Sequence, residues 1–190
     1  MSDPSPCFAL QGDDGQSLLV QTERLRLHAV NNVRKLRLQV RPQTGINPAP
    51  LERLLGIALP ASPQEIAENT LTAYWLAPND WLLVNPSEDA DNIEVALRAS
   101  ADGATAVVTD VTDAYSIIDV SGEDAVTRLA EGCSVDLDSS VFPPGRYALT
   151  RLQHLSVILH KLDDATRFRL LVDRNVARFL WDRLLAAVIP

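Results

Sequence analysis

The stretch YSIIDVSGEDAVTRLAEGCSVDL, residues 115–137, decides the reading of the fold. Tyr115–Val120 is a β-branched, apolar run of the kind that fits a pleated, half-buried strand. Ser121-Gly122-Glu123-Asp124 is turn and capping chemistry, and it predicts a helix carrying Ala125, Leu129 and Ala130 that stops at Gly132. A strand feeding directly into a short helix is the unit of an α+β fold. Further along, Pro143-Pro144-Gly145 makes a strong turn, because proline presets one torsion and glycine supplies the positive one. Strands are then expected at Tyr147–Leu152, Ser156–Leu162 and Phe168–Val172. A closing helix from about Arg174 should present Val176, Phe179, Leu180, Leu184, Leu185 and Val188 as its apolar face, with Arg178 and Asp182 one turn apart outside.

Upstream the same grammar recurs. In RLRLHAV, Leu25, Leu27 and Ala29 alternate with Arg24, Arg26 and His28, and Leu36, Leu38 and Val40 alternate with Arg37 and Gln39. LERLLGIAL reads as a short helix ending near Gly56. Ser62-Pro63-Gln64-Glu65 has the residues of a capped helical turn. AYWLAPNDWLLV places Pro78-Asn79-Asp80 between two apolar runs, which predicts a hairpin. Asn85-Pro86-Ser87-Glu88 precedes a helix through Ile93, Ala96 and Leu97, and ATAVVTDVT closes the first half as a strand. LRLQV, a helix, then GIAL matches SIIDV, a helix, then GCSVDL, roughly 80 residues later. WLLVNP similarly matches RLLVDR. The expectation is an α+β fold of duplicated ferredoxin-like β-α-β-β-α modules, with a flexible leader at 1–20, a first module at 21–112 and a second at 113–190.

Composition narrows the partners. A formal net charge of -8 repels phosphate backbones and anionic membrane surfaces on average, so neither nucleic acid nor membrane is the expected partner. No run approaches the ~20 apolar residues of a spanning helix. MSDPSPCFALQGDDGQ lacks the basic start and apolar core of a signal peptide. Cys7 and Cys133 lie far apart with no metal-type spacing and read as reduced thiols of a cytoplasmic protein.

Catalytic and cofactor motifs are sparse. The glycines form neither GxGxxG nor GxxxxGK[ST], and no GxSxG elbow occurs. His154 and His160, if on one strand, would share a face but sit ~20 Å apart, too far for one ion. His28 alternates with arginines, as a solvated or partner-facing residue would. The pairs Asp13-Asp14, Glu88-Asp89 and Asp163-Asp164 read as solvated loop charges, whereas Asp110, Asp113 and Asp119 interrupt apolar strands. Arg146 and Arg151 flank the strand after the PPG turn and suit either an anion or an ion pair. Trp75, Trp81 and Trp181 are core candidates whose ring edges suit an interface. These five, Trp75, Trp81, Arg146, Arg151 and Trp181, are the interface candidates; no catalytic, cofactor-binding or metal residue is assigned.

The words IIDVSGEDAVTRLAEGCSVDL, VFPPGRYALTRLQHLSVILHK, FRLLVDRNVARFLWDRL and the WLAPNDWLLV hairpin together resemble the gamma-subunit family of heterotetrameric sarcosine oxidase, from about Val33 to the last helix. The resemblance implies a fold related to the folate-binding module of the glycine cleavage T-protein. It implies alpha, beta and delta partner subunits that carry FAD, FMN, NAD, zinc and tetrahydrofolate. It further implies an assembled oxidoreductase that demethylates sarcosine to glycine, passing the one-carbon unit to tetrahydrofolate or releasing formaldehyde, and making hydrogen peroxide. This chain's expected role is assembly and structural support. The competing expectations are a free-standing T-protein-like folate-binding protein and an interaction module of unrelated function.

Overall fold

The computed structural model describes residues 10–11, 16–40, 49–85, 90–100, 106–162 and 166–186. The chain divides into two compact units, one of Met1–Asn31 with Asp113–Pro190 and one of Asn32–Thr112.

The Asn32–Thr112 unit follows β1 (Leu19–Gln21) and β2 (Arg26–Val30) of the other unit and runs β3 (Arg34–Val40), α1 (Ala49–Leu55), β4 (Ile66–Glu68), β5 (Thr72–Ala77), β6 (Asp80–Asn85), α2 (Ala90–Ser100) and β7 (Ala106–Asp110). Its sheet has the order β4-β5-β6-β3-β7 with antiparallel pairs throughout. Omitting the edge strand β4, this is the 4-1-3-2 order of a ferredoxin-like module. Alternation sends Leu36, Leu38, Val40, Trp81 and Leu83 to the face covered by α1 and α2, where they meet Leu51, Leu55 and Leu97. The helix α1 stops where Gly56 takes a φ of 68°. The β5–β6 hairpin turns at Pro78-Asn79, with Asn79 at φ 61° and a register shift between Trp75 and Ala77.

The other unit holds β1 (Leu19–Gln21), β2 (Arg26–Val30), β8 (Tyr115–Ser121), α3 (Ala125–Ala130), β9 (Tyr147–Leu152), β10 (Leu155–Lys161), β11 (Phe168–Asp173) and α4 (Arg174–Ala186). Its antiparallel sheet has the order β1-β2-β8-β11-β10-β9. Setting β9 against β4, the remaining order β10-β11-β8-β2 repeats β5-β6-β3-β7 strand for strand. The duplication expected from sequence is therefore present in the topology. Its fourth strand, however, comes from ahead of the first module, since β2 pairs β8 with Leu27 opposite Val120. Residues 21–31 accordingly belong with 113–190 rather than with the first module. Alternation identified the strand but carries no information about its partner.

Five further differences have local causes. The leader is partly built in: Leu10 is buried in the core of this unit, and β1 pairs β2. The segment at Ser62–Glu65 is a turn and not a helix, because Gln64 sits at φ 67°; Glu65 nonetheless reaches back to the Ala61 and Ser62 amides at 3.1 Å. The α3 N-cap is Asp124, which makes no capping bond and instead accepts from Arg24 at 2.7 Å. In α4 the buried stripe is Ala177, Leu180, Trp181 and Leu184, with Phe179 54% exposed. The match of WLLVNP to RLLVDR is also one residue out of phase. Trp81 faces the helices, whereas Phe168, Leu170 and Val172 do so in β11 and Arg169 does not. A one-residue slip exchanges the faces of a strand. The expected capping segment at 85–88 falls largely outside the described residues.

Candidate functional site

On the helix-free face of the six-stranded sheet, direct cross-strand partners form one polar row. His28 lies opposite Asp119, Asp119 opposite Arg169, Arg169 opposite His160, and His160 opposite Tyr147. Each alternates with residues of the opposite, helix-covered face: Leu27 and Ala29, Ile118 and Val120, Phe168 and Leu170, Leu159, Ala148. The period of two thus fixes which way all five point.

Arg169 grips Asp119 with both arms of its fork, Nε to Oδ1 and Nη2 to Oδ2, each at 2.8 Å. The other sheet carries a similar pair with the strands exchanged. Arg37 of β3 donates to Asp80 of β6 at 2.9 and 2.5 Å, and Gln39 adds a bond at 3.1 Å. His160 is 1% exposed, and burial pushes its pKa down to about 4, helped by the Arg169 charge and opposed by Asp119. It is a neutral imidazole at neutral pH. Burial likewise raises the Cys133 thiol, against the makeup of a nucleophile.

At the β2–β8 end of the row the face opens into a cavity of about 270 Å³, with Arg26, His28, Asp119, Ser121, Leu162 and Arg167 on its walls. Arg26 stands opposite Ser121 in the register, so both share the face of His28 and Asp119. A second, shallower hollow of about 540 Å³ lies in the other unit, between the Gly56–Ala61 loop and the β4 region. Among the described residues no three His, Cys, Asp or Glu side chains gather as a metal site would require.

The residues singled out from sequence scatter. His154 is in the β9–β10 turn at φ 68°, and only His160 is in a strand. Asp110 binds Arg34 at 2.7 Å; burial works against its charge, but Thr112 and Arg34 outweigh that and hold the carboxyl below its usual range. Asp113 pairs with Arg174 at 3.5 Å. The acidic pairs at 13–14, 88–89 and 163–164 lie outside the described residues. Trp81, 7% exposed, donates from Nε1 to the Pro60 carbonyl at 2.7 Å, and Trp181, 2% exposed, lies in the opposite core. Trp75 is half-buried against the first of these cores. Arg146 and Arg151 are exposed at the edge strand β9, where neither makes an ion pair among the described residues, and Leu149 between them is 51% exposed. The Asp119–Arg169–His160 row and the arginines at 26 and 167 were missed as a group. The available signal was the shared alternation of Arg26 with His28 and of Arg167 with Arg169.

A duplicated α+β scaffold of ferredoxin-like sheets, each with helices on one face, is the architecture of the T-protein-like class. In keeping with that, the chain is similar in fold to the glycine cleavage system aminomethyltransferase T of Bartonella henselae, with a TM-score of 0.60 at 14% identity, covering 87% of this chain and 46% of that one. The model of the sarcosine oxidase, gamma subunit family matches residues 45–189, and the chain belongs to that family. It is similar to the sarcosine oxidase subunit gamma of Arthrobacter sp, 30% identical over 114 residues, a match spanning 58% of this chain and 55% of that relative. It is also similar to a chain in the structure of the heterotetrameric sarcosine oxidase from Corynebacterium sp. U-96 in complex with pyrrole 2-carboxylate. There the TM-score is 0.79 at 25% identity, covering 89% of this chain and 86% of that one. Among the described residues no helix is long and apolar enough to cross a membrane.

Proposed function

We propose that this chain is the non-catalytic gamma subunit of a heterotetrameric sarcosine oxidase-type complex, serving assembly and structural support. The observation that carries the reading is the fold match to a chain of a heterotetrameric sarcosine oxidase over 89% of this chain and 86% of that one. The buried polar groups support it, because they are engaged in holding the fold. Arg169 holds Asp119, Arg37 holds Asp80, Lys161 reaches Ser139 at 2.8 Å, and Lys35 donates to the Val33 and Thr112 carbonyls at 3.0 and 2.9 Å.

In this reading the partners are alpha, beta and delta subunits, which hold FAD, FMN, NAD, zinc and tetrahydrofolate in a cytoplasmic enzyme. The complex oxidatively demethylates sarcosine to glycine, the one-carbon unit passing to tetrahydrofolate or leaving as formaldehyde, with hydrogen peroxide formed. Of the interface candidates, Trp75, Arg146 and Arg151 remain at the surface of this chain. Arg146, Leu149 and Arg151 are exposed at the edge strand β9, whose Leu152 end is bridged by Cys133, and their side chains are suited to an acidic partner surface with an apolar centre. The test is co-purification of the partner subunits with the Arg146→Glu/Arg151→Glu variant, whose substitutions at exposed positions leave the fold intact. Loss of the partners at unchanged thermal stability supports β9 as a docking edge; undiminished recovery removes it from the interface.

A further inference from the structure

The chain crosses between its two compact units twice, at Asn31–Asn32 and at Thr112–Asp113. The strands stop short of both crossings: β2 ends at Val30 and β3 begins at Arg34, while β7 ends at Asp110 and β8 begins at Tyr115. Asn32 turns the first crossing at φ 58°, and in the second the Asp110 carboxylate accepts from the Thr112 amide at 2.8 Å. Main-chain groups left outside a strand ladder need partners of their own. Lys35 supplies them. It is 5% exposed, and its ammonium donates to the Val33 carbonyl at 3.0 Å and to the Thr112 carbonyl at 2.9 Å. We infer that Lys35 is a clasp, one buried ammonium that holds the two crossings side by side and keeps this joint closed.

The main chain of Lys35 works in the same direction. The β3–β7 ladder has its last pair at Leu36 opposite Asp110. Beyond it, the Val111 amide donates to the Lys35 carbonyl at 2.9 Å, and the Lys35 amide donates to Thr112 Oγ1 at 3.0 Å. The pairing is thus carried one step past the ladder, and the ammonium carries it one step further. Burying an ammonium is costly unless its donors are met, so an apolar residue would serve better here if packing were its whole task. An apolar side chain would leave the Val33 and Thr112 carbonyls without the donor they now share. Val33, Lys35, Val111 and Thr112 all belong to the Asn32–Thr112 unit, and none of this depends on the subunit reading.

The test compares ¹⁵N order parameters of the full chain in wild type and in Lys35→Met, which keeps an unbranched side chain and removes the donors. In wild type the amides of Lys35 and Val111 should be as rigid as those of Leu83 in β6 and Ile118 in β8, at about 0.85. In Lys35→Met the first two should fall below about 0.6, while Leu83 and Ile118 keep their values. Should Lys35→Met not fold, Lys35→Gln, whose amide is one bond shorter than the ammonium, is expected to give the same pattern. Rigid values kept at Lys35 and Val111 overturn the assignment. So does a fall of equal size at all four amides, which reports a general loosening and not an opened joint.

Discussion

Acid should loosen this fold through His160 before the carboxylates titrate. The imidazole is 1% exposed, and its pKa in the folded chain is about 4 against an ordinary 6.5. A histidine depressed in this way binds its proton more readily once unfolded, so stability is flat above the unfolded value and falls as pH drops below it. At pH 5 the buried imidazole is still almost wholly neutral, while its unfolded counterpart is almost wholly charged. The stability lost between neutral pH and pH 5 is therefore about 2 kcal/mol, set mainly by the unfolded value. His160→Gln removes the titrating group, and His28 and His154 are the same in both proteins. Urea unfolding followed by tryptophan fluorescence at pH 7 and pH 5 should show wild type losing about 2 kcal/mol more than His160→Gln. Equal losses in the two proteins would mean that the ring is hydrated or charged in the folded state, which refutes the argument.

Three further substitutions probe the scaffold. Gly122 holds φ 115°, and a Cβ there would meet the Arg24 carbonyl oxygen at 2.3 Å, so Gly122→Ala should cost about 2–4 kcal/mol, read as a lowered urea midpoint. His154 occupies a left-handed position, φ 68°, in the two-residue β9–β10 turn beside Gln153 at φ 50°, where Asn-Gly is the favoured chemistry. His154→Gly should stabilise the chain by about 0.5–1 kcal/mol and raise the melting temperature by a few degrees. Asp80→Ala strands the Arg37 fork and the Gln39 amide and should cost about 1–2 kcal/mol in the same unfolding assay, whereas Asp80→Asn, which keeps an acceptor, should cost less.

What the sequence disclosed follows the range of each physical signal. Alternation and turn chemistry act over a few residues, so strands such as Tyr147–Leu152 and the Pro78-Asn79 hairpin were legible. The partner of β2 was not, because Leu27 meets Val120 across a sheet joined through another unit. Identical LLV triplets in β6 and β11 concealed a one-residue phase difference that only the helix-covered faces reveal. The turn at Ser62–Glu65 had the composition of a capped helix, yet the left-handed Gln64 ended it and β4 followed. Arg26 and Arg167 each read as an ordinary exposed charge. That both line one cavity depends on β8 and β11 lying side by side, which no local pattern encodes.

The central claim is that this chain works as one subunit of a flavin-bearing oxidase complex. Its most direct test is a tagged pull-down from the native host, with an absorbance spectrum of the material that co-elutes. The account predicts stoichiometric co-elution of larger and smaller partner subunits, a flavin spectrum, and bleaching of that spectrum by sarcosine in the absence of oxygen. A colourless chain recovered alone, soluble and folded, would contradict it.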